Sequence, residues 1–377
     1  MAQTQFNYNL ADAQAVTVKP VEPEAFPFDE YVGYAEGLRR RARAFRLAPA
    51  GVLVYRRMRV AEVFAAGSRD MASSLGWQLG ALAASMEFPA DLPNFLEPWY
   101  GIGTTASAYG SEYIWNEGQA PGMLPRFESA AEALAAEPVQ VQQTRIGQHT
   151  LAMLDYFMER TRGRLPISPC DIQSPLNVAC NLVNTNNLLM DCLDDPESVA
   201  GLLDRLAGLI VEFTRIQARV LGPAAVWPGH GFASSPEFTG LGQSDDNIVM
   251  VSPDMYRELA VAALVKAGAP FGGPVFHSCG NWGGWAHVVR DIPGLKTVDA
   301  AFGAQTDPNP NQPETIAEAF AGTGIVLNAR IVGGVDQVEA IVRRLWRPGL
   351  KLIVVTYCPT PAEQTEAYRR IHEICEA

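Results

Sequence analysis

From about residue 164 onward, short apolar runs rich in branched and aromatic residues alternate with stretches whose polar and apolar positions follow a helical period. The runs are LPISPCD, AAVWPGH, GPVFHSCG, LKTVDAAF, GIVLNARI and LKLIVVTYC. The later ones recur every ~25–30 residues, the length of one strand, one helix and their loops. Helix starts are marked between them. Asp195 before Pro196 caps a long amphipathic run ending at Gly222, and Ser252 before Pro253 opens another. Thr360, with Glu363 three positions on, has the spacing of a capping box. Nearer the N-terminus, a basic helical segment, GLRRRARAF, precedes an apolar strand candidate from Gly51 to Tyr55. The text from there to about residue 130 is irregular and helical. It is broken by EPWYGIGTTASAYGSEYIW, a glycine- and aromatic-rich stretch that suits a loop beside a cavity.

Repeated strand-then-helix units imply a parallel α/β sheet. A chain of 377 residues with this many units favours a closed (β/α)8 TIM barrel over an open doubly wound sheet. No GxGxxG or P-loop follows an early strand to argue otherwise. The expected organisation is an N-terminal arm and helix over residues 1–45, then a single barrel domain over 46–377. With 41 acids against 29 bases the net charge is −12, which argues against a nucleic-acid partner because phosphate backbones need a basic surface. No apolar run approaches the ~20 residues that span a bilayer. The opening MAQTQFNYNLADAQAVTVKP has no basic leader or apolar core, and six cysteines are too few for a disulfide scaffold. The expectation is a cytoplasmic protein with reduced thiols, away from membranes, with a homodimer left open.

In such a barrel the residues closing each strand carry the chemistry. His277 and Cys279, two apart, share one face of an extended chain, and Cys358 closes the last run. One imidazole and two thiolates suit Zn²⁺ and leave a fourth position for a reactant. On spacing alone, packing cysteines and a hydrogen-bonded histidine are the commoner reading. His230, Asp299 and Asp171 close other runs and are candidate catalytic residues. Asn177, Asp245, Asp246 and Asn328 are candidates for holding substrate. Trp282 and Tyr357, with Trp285, Trp99, Tyr100 and Tyr109, are candidate aromatic walls. Each of these has a plain alternative as a helix cap, a loop-closing polar group or core.

HSCGN at 277–281, the SPDMYREL helix start at 252–259 preceded by Asp245-Asp246, and the final Cys358-Pro359 together resemble the uroporphyrinogen decarboxylase superfamily, and within it the zinc-dependent, corrinoid-linked methyltransferases. The resemblance runs from about residue 164 to the end, is weak through 40–160 and is absent before that. It implies a zinc ion on His277, Cys279 and Cys358, with Asp299 as an acidic fourth ligand or that position open. It further implies a small methylated substrate and a corrinoid cofactor. No histidine stands in the Asp-x-His-x-x-Gly pattern of a built-in cobalamin module, so the corrinoid is expected on a separate partner protein. The decarboxylase itself carries an RQAGR-type arginine motif, which YRRMRV at 55–60 does not match. Methyl transfer to cobalt from an O-, N- or S-methyl compound is therefore the leading expectation. The alternatives are transfer from methyl–cobalt to a thiol, a metal-free decarboxylase, and a non-catalytic binding barrel.

Overall fold

The computed structural model describes residues 17–60, 63, 69–98, 102–115, 121–304 and 307–376; Trp99 and Tyr100 lie outside them. Six parallel strands form the central sheet in the order β1-β8-β7-β6-β5-β4. They are β1 (Gly51–Arg56), β4 (Leu241–Ser244), β5 (Pro274–His277), β6 (Thr297–Ala301), β7 (Val326–Ile331) and β8 (Lys351–Thr356). β2 (Tyr113–Ile114) and β3 (Gly122–Met123) make a separate antiparallel pair. Among the described residues no helix is long and apolar enough to cross a membrane.

Two expected strands, LPISPCD and AAVWPGH, are not regular strands. Each is reduced to isolated bridges, Ile167 pairing with Leu96 on one side and with Ala225 on the other. Pro166, Pro169 and Pro228 lack the N–H that a ladder needs, which confines pairing to the residues between them. Short backbone links continue from both sheet edges. Asp91 N donates to Val54 O at 2.7 Å, and Gly242 N donates to Pro228 O at 3.0 Å. Among the described residues the parallel sheet thus has six regular strands where eight were expected. Conversely, β4 was not expected, because Leu-Gly-Gln-Ser carries little strand preference. Gly242 is needed there: a Cβ would stand 2.7 Å from the Phe232 ring and 3.0 Å from Pro228 O.

Strand alternation divides the side chains between two faces. Phe276, Val298, Ala300, Leu327, Ala329, Ile331, Leu352 and Val354 join the apolar cluster that includes the surrounding helices. Leu53, Tyr55, Ile353 and Val355 fall in a separate cluster on the other face. His277, Asp299, Asn328 and Arg330 alternate with the first set and so share that second face. Parallel register then lines up Ser244, His277, Asp299, Asn328, Ile353 and Leu53 across neighbouring strands. A polar row crosses an otherwise apolar face.

The helices begin where cap chemistry places them. Asp195 accepts from Ser198 N ahead of Pro196–Leu221, and Ser252 accepts from Met255 N ahead of Pro253–Leu259. Thr360 accepts from Glu363 N at 3.2 Å ahead of Pro361–Glu376. Near the N-terminus the basic segment lies inside a longer helix, Phe28–Leu47. It is fastened through buried Asp91, which accepts from Arg41, from Val54 N at 2.8 Å, from Tyr368 Oη at 2.7 Å, and pairs with His372 at 2.9 Å.

Burial works against the Asp91 carboxylate, but His372, Tyr368 and Val54 N outweigh it and hold its pKa below the usual carboxyl value. The hydrogen bond to Asp91 in turn raises the His372 pKa. Asp91's contribution is present above its unfolded pKa of about 4 and is lost as pH falls through the lower folded value. That of His372 is full below about 6.5 and is lost as pH rises through its raised folded value. His372→Ala is expected to flatten the alkaline limb of the melting temperature against pH. An unchanged alkaline limb would show that the pair contributes nothing.

Candidate functional site

His277 closes β5, and the chain turns so that Cys279 Sγ comes to 3.3 Å from His277 Nε2. Asp246 Oδ1 lies 3.9 Å from the same nitrogen and accepts from Cys279 N at 2.6 Å. The ligand atoms of Asp246, His277 and Cys279 all lie within 4.8 Å of one another. Two donors bound tetrahedrally to zinc at ~2.0–2.3 Å sit about 3.5 Å apart, so the imidazole and thiol are already at that spacing and the carboxylate is close to it. The donor set of nitrogen, sulfur and oxygen fits Zn²⁺.

Asp246 is delivered by its neighbour. Asp245 is fully buried, accepts from Ser174 Oγ at 2.7 Å and Tyr256 Oη at 2.6 Å, and its N–H donates to His277 O at 2.7 Å. Burial raises its pKa to about 6. Asp245, expected among the substrate contacts, instead pins the turn that presents Asp246.

Asp299 stands behind the imidazole. Its Oδ2 is 2.8 Å from His277 Nδ1, at an angle that leaves this nitrogen short of a well-formed hydrogen bond. The same oxygen accepts from Arg330 Nε at 2.8 Å, and Oδ1 accepts from Asn328 Nδ2 at 2.5 Å. Burial opposes ionisation, but Arg330 and His277 outweigh it and hold the Asp299 pKa below the ordinary carboxyl value. For His277, burial disfavours the charged form, yet Cys279 and Asp299 raise its pKa well above the ordinary imidazole value. With both oxygens engaged, Asp299 is placed to orient His277 as carboxylates behind metal-bound imidazoles do.

The remaining candidates fall in different places. His230 Nδ1 meets Glu97 Oε2 at 2.6 Å, and despite burial the Glu97 pKa is lowered by His230, Arg57 and Arg59. Asp171 is close enough to His230, His277 and Asp246 to feel their charges; burial raises its pKa, and Oδ1 has no partner. Asn177 Nδ2 donates to Gln173 Oε1, while its Oδ1 accepts from Asn247. Asn328 Oδ1 accepts from Ala233 N at 3.2 Å. Tyr357 stands beside Arg57 and Arg330. Trp282 is not a wall of the site. It is fully buried, its Nε1 donates to Asp299 O at 3.2 Å, and it packs edge-on against Phe276 and Phe320. Trp285 Nε1 is likewise engaged, with Val251 O at 3.0 Å.

Cys358 is not brought to the cluster: its sulfur is not among the atoms gathered around His277. It is buried beyond the end of β8, its carbonyl accepts from Arg56 Nε at 2.9 Å, and burial pushes its thiol up to about 11. The glycine- and aromatic-rich stretch does border a cavity, of about 890 Å³, lined by Tyr109, Ser111 and Tyr113 with Arg69, Arg126 and Arg145. Sequence reading missed Glu97, Arg330 and the ligand position of Asp246. Arg330 had a signal, lying two residues beyond Asn328 on the same strand face.

A six-stranded parallel α/β sheet with a His–Cys–Asp group at a strand's carboxyl end defines the class by architecture. The uroporphyrinogen decarboxylase (URO-D) family model matches residues 99–237. That region overlaps the expected resemblance only from 164, and it includes sequence where the resemblance is weak. A solved methyltransferase from Methanosarcina mazei is similar over 90% of this chain and 99% of its own, with a TM-score of 0.64 and 17% identity. At that identity the likeness is one of fold. No curated protein matches the sequence.

Proposed function

We propose that the protein is a zinc-dependent methyltransferase that moves a methyl group from a small O-, N- or S-methyl compound to the cobalt of a separate corrinoid protein. The observation that carries this reading is the convergence of Asp246, His277 and Cys279 within 4.8 Å, with Asp299 behind the imidazole. The methyltransferase-like fold and the family match support it. In this reading the sheet closes into a barrel through the short links at 91–96, 167 and 225–228, and the site opens at its carboxyl end.

His277 and Cys279, with Asp246, hold the zinc. When bound, the ion supplies Lewis acidity toward the heteroatom that keeps the bonding pair as the methyl departs. Asp299 fixes the His277 ring. Asp171, kept toward its neutral form by burial, stands where it can give the leaving heteroatom a proton from a carboxyl oxygen. In this reading His230, held by Glu97 and near enough to Asp171 to interact with its charge, orients the reactant.

The resemblance implies Cys358 as the third ligand, whereas the closeness of Asp246 to His277 and Cys279 favours Asp246 in this reading. Asp246→Asn is therefore expected to weaken zinc binding by at least about tenfold, and Cys358→Ser to weaken it less, in competition with a chromophoric chelator. The reverse order would return the ligand to Cys358. The activity itself is read from the visible spectrum of a cobalt(I) corrinoid protein mixed with methyl donors. Conversion to methyl–cobalt only with the enzyme present is expected, and no conversion with any O-, N- or S-methyl donor would overturn the reading. The family match also favours a second reading, a decarboxylase of the same fold, which requires neither zinc nor a corrinoid partner.

A further inference from the structure

Arg330 brings an unused hydrogen-bond donor into the site. Its side chain projects from β7 on the face that carries His277 and Asp299, and the residue is only 9% exposed. Nε is taken by Asp299, but Nη2 is buried and has no acceptor. A guanidinium N–H removed from water without an acceptor is costly, so a position of this kind calls for an oxygen that arrives with something else.

The surroundings specify what kind of oxygen. Asp299 is already engaged by Arg330 and Asn328, and Glu97 by His230. Arg330 lies close enough to Cys279 and to the Tyr357 phenol to feel both, and the same phenol stands beside Arg57. Because β1, β8 and β7 are adjacent, Arg57 and Tyr357, each just past its strand, and Arg330, one residue before the end of β7, supply donors at the same end of the sheet. The planar guanidinium suits a carboxylate, which takes two parallel N–H bonds.

We propose that Arg330 binds a carboxylate of the substrate, so that the methyl compound handled at this site is an acid. The proposal rests on the methyltransferase reading for what the acid is used for, but not for its binding. Anchored on Arg330, near Cys279, the acid would have its methyl-bearing end directed toward the His277 cluster.

The test uses the zinc-loaded full chain and isothermal titration calorimetry. Methoxyacetate and 4-methoxybenzoate are each compared with their own carboxamides, which keep the shape and lose the charge. At least one acid is expected to bind about tenfold or more tighter than its amide, the size of a charge-assisted hydrogen bond. That preference should vanish in Arg330→Gln and shrink in Arg330→Lys, with zinc content retained in both. Equal binding of acid and amide in the wild type, no binding of either acid at millimolar concentration, or a preference that survives Arg330→Gln would each overturn the proposal. The last result would place the carboxylate on the metal instead. If Arg330→Gln does not fold, the wild-type comparison and Arg330→Lys still decide. Acid preference without any methyl transfer to cobalt would sink the methyltransferase reading and leave this one standing.

Discussion

Replacing His277 with alanine, or Cys279 with serine, is expected to lower the rate of methyl transfer to a cobalt(I) corrinoid protein by at least about a thousandfold, because a Lewis acid at the reacting heteroatom contributes several kcal/mol to the transition state. His277 lies at the centre of the group, with Cys279 Sγ at 3.3 Å and Asp246 Oδ1 at 3.9 Å from Nε2. Single-turnover rates under saturating corrinoid protein separate this loss from weaker docking. A variant lacking the imidazole that keeps more than about a tenth of the rate would show that the ion is not part of the chemistry.

Asp299→Ala is expected to lower stability by about 3–5 kcal/mol, since it leaves the buried Arg330 guanidinium without its carboxylate and strands the Asn328 amide. Asp299 is fully buried and accepts from both groups while lying against His277 Nδ1. Urea unfolding followed by tryptophan fluorescence checks this. The same variant should lose about 10–100-fold in zinc affinity, as expected when the group behind a metal-bound imidazole is removed. An unchanged unfolding midpoint would mean that Arg330 finds another counter-ion. Unchanged zinc affinity would mean that Asp299 does not orient the ring.

What could be read from the sequence was local. The caps at Asp195, Ser252 and Thr360 depend on residues three positions apart, and all three form. The His277–Cys279 pair could be found because both residues stand at one strand end, two apart. Asp299 and Asn328 stood out as polar residues within strongly apolar runs, although they lie inside β6 and β7 rather than at the strand ends.

What failed depended on contacts between distant segments. Prolines broke two expected strands into bridges at Ile167, which an apolar count does not register. β4 escaped notice because its Gly-Leu-Gly-Gln-Ser stretch is held in the sheet by neighbours and by the space Gly242 leaves for Phe232. Trp282 was a candidate aromatic wall, yet its indole is packed between Phe276 and Phe320. The different placements of Asp245 and Asp246, both expected to hold substrate, turn on Ser174 and Tyr256, remote in the chain or on the following helix. Cys358 was proposed from its place at the end of the last apolar run and from the resemblance; it lies buried past β8 with its carbonyl on Arg56 Nε, and its sulfur is outside the Asp246–His277–Cys279 group.

Elemental analysis of the purified, untagged protein after extensive dialysis tests the central claim most directly. The account predicts about one zinc per chain in the wild type and a near-complete loss in His277→Ala, given the tight binding of protein zinc sites. A metal-free wild type that still methylates the corrinoid partner, or full zinc retention in His277→Ala, would contradict it.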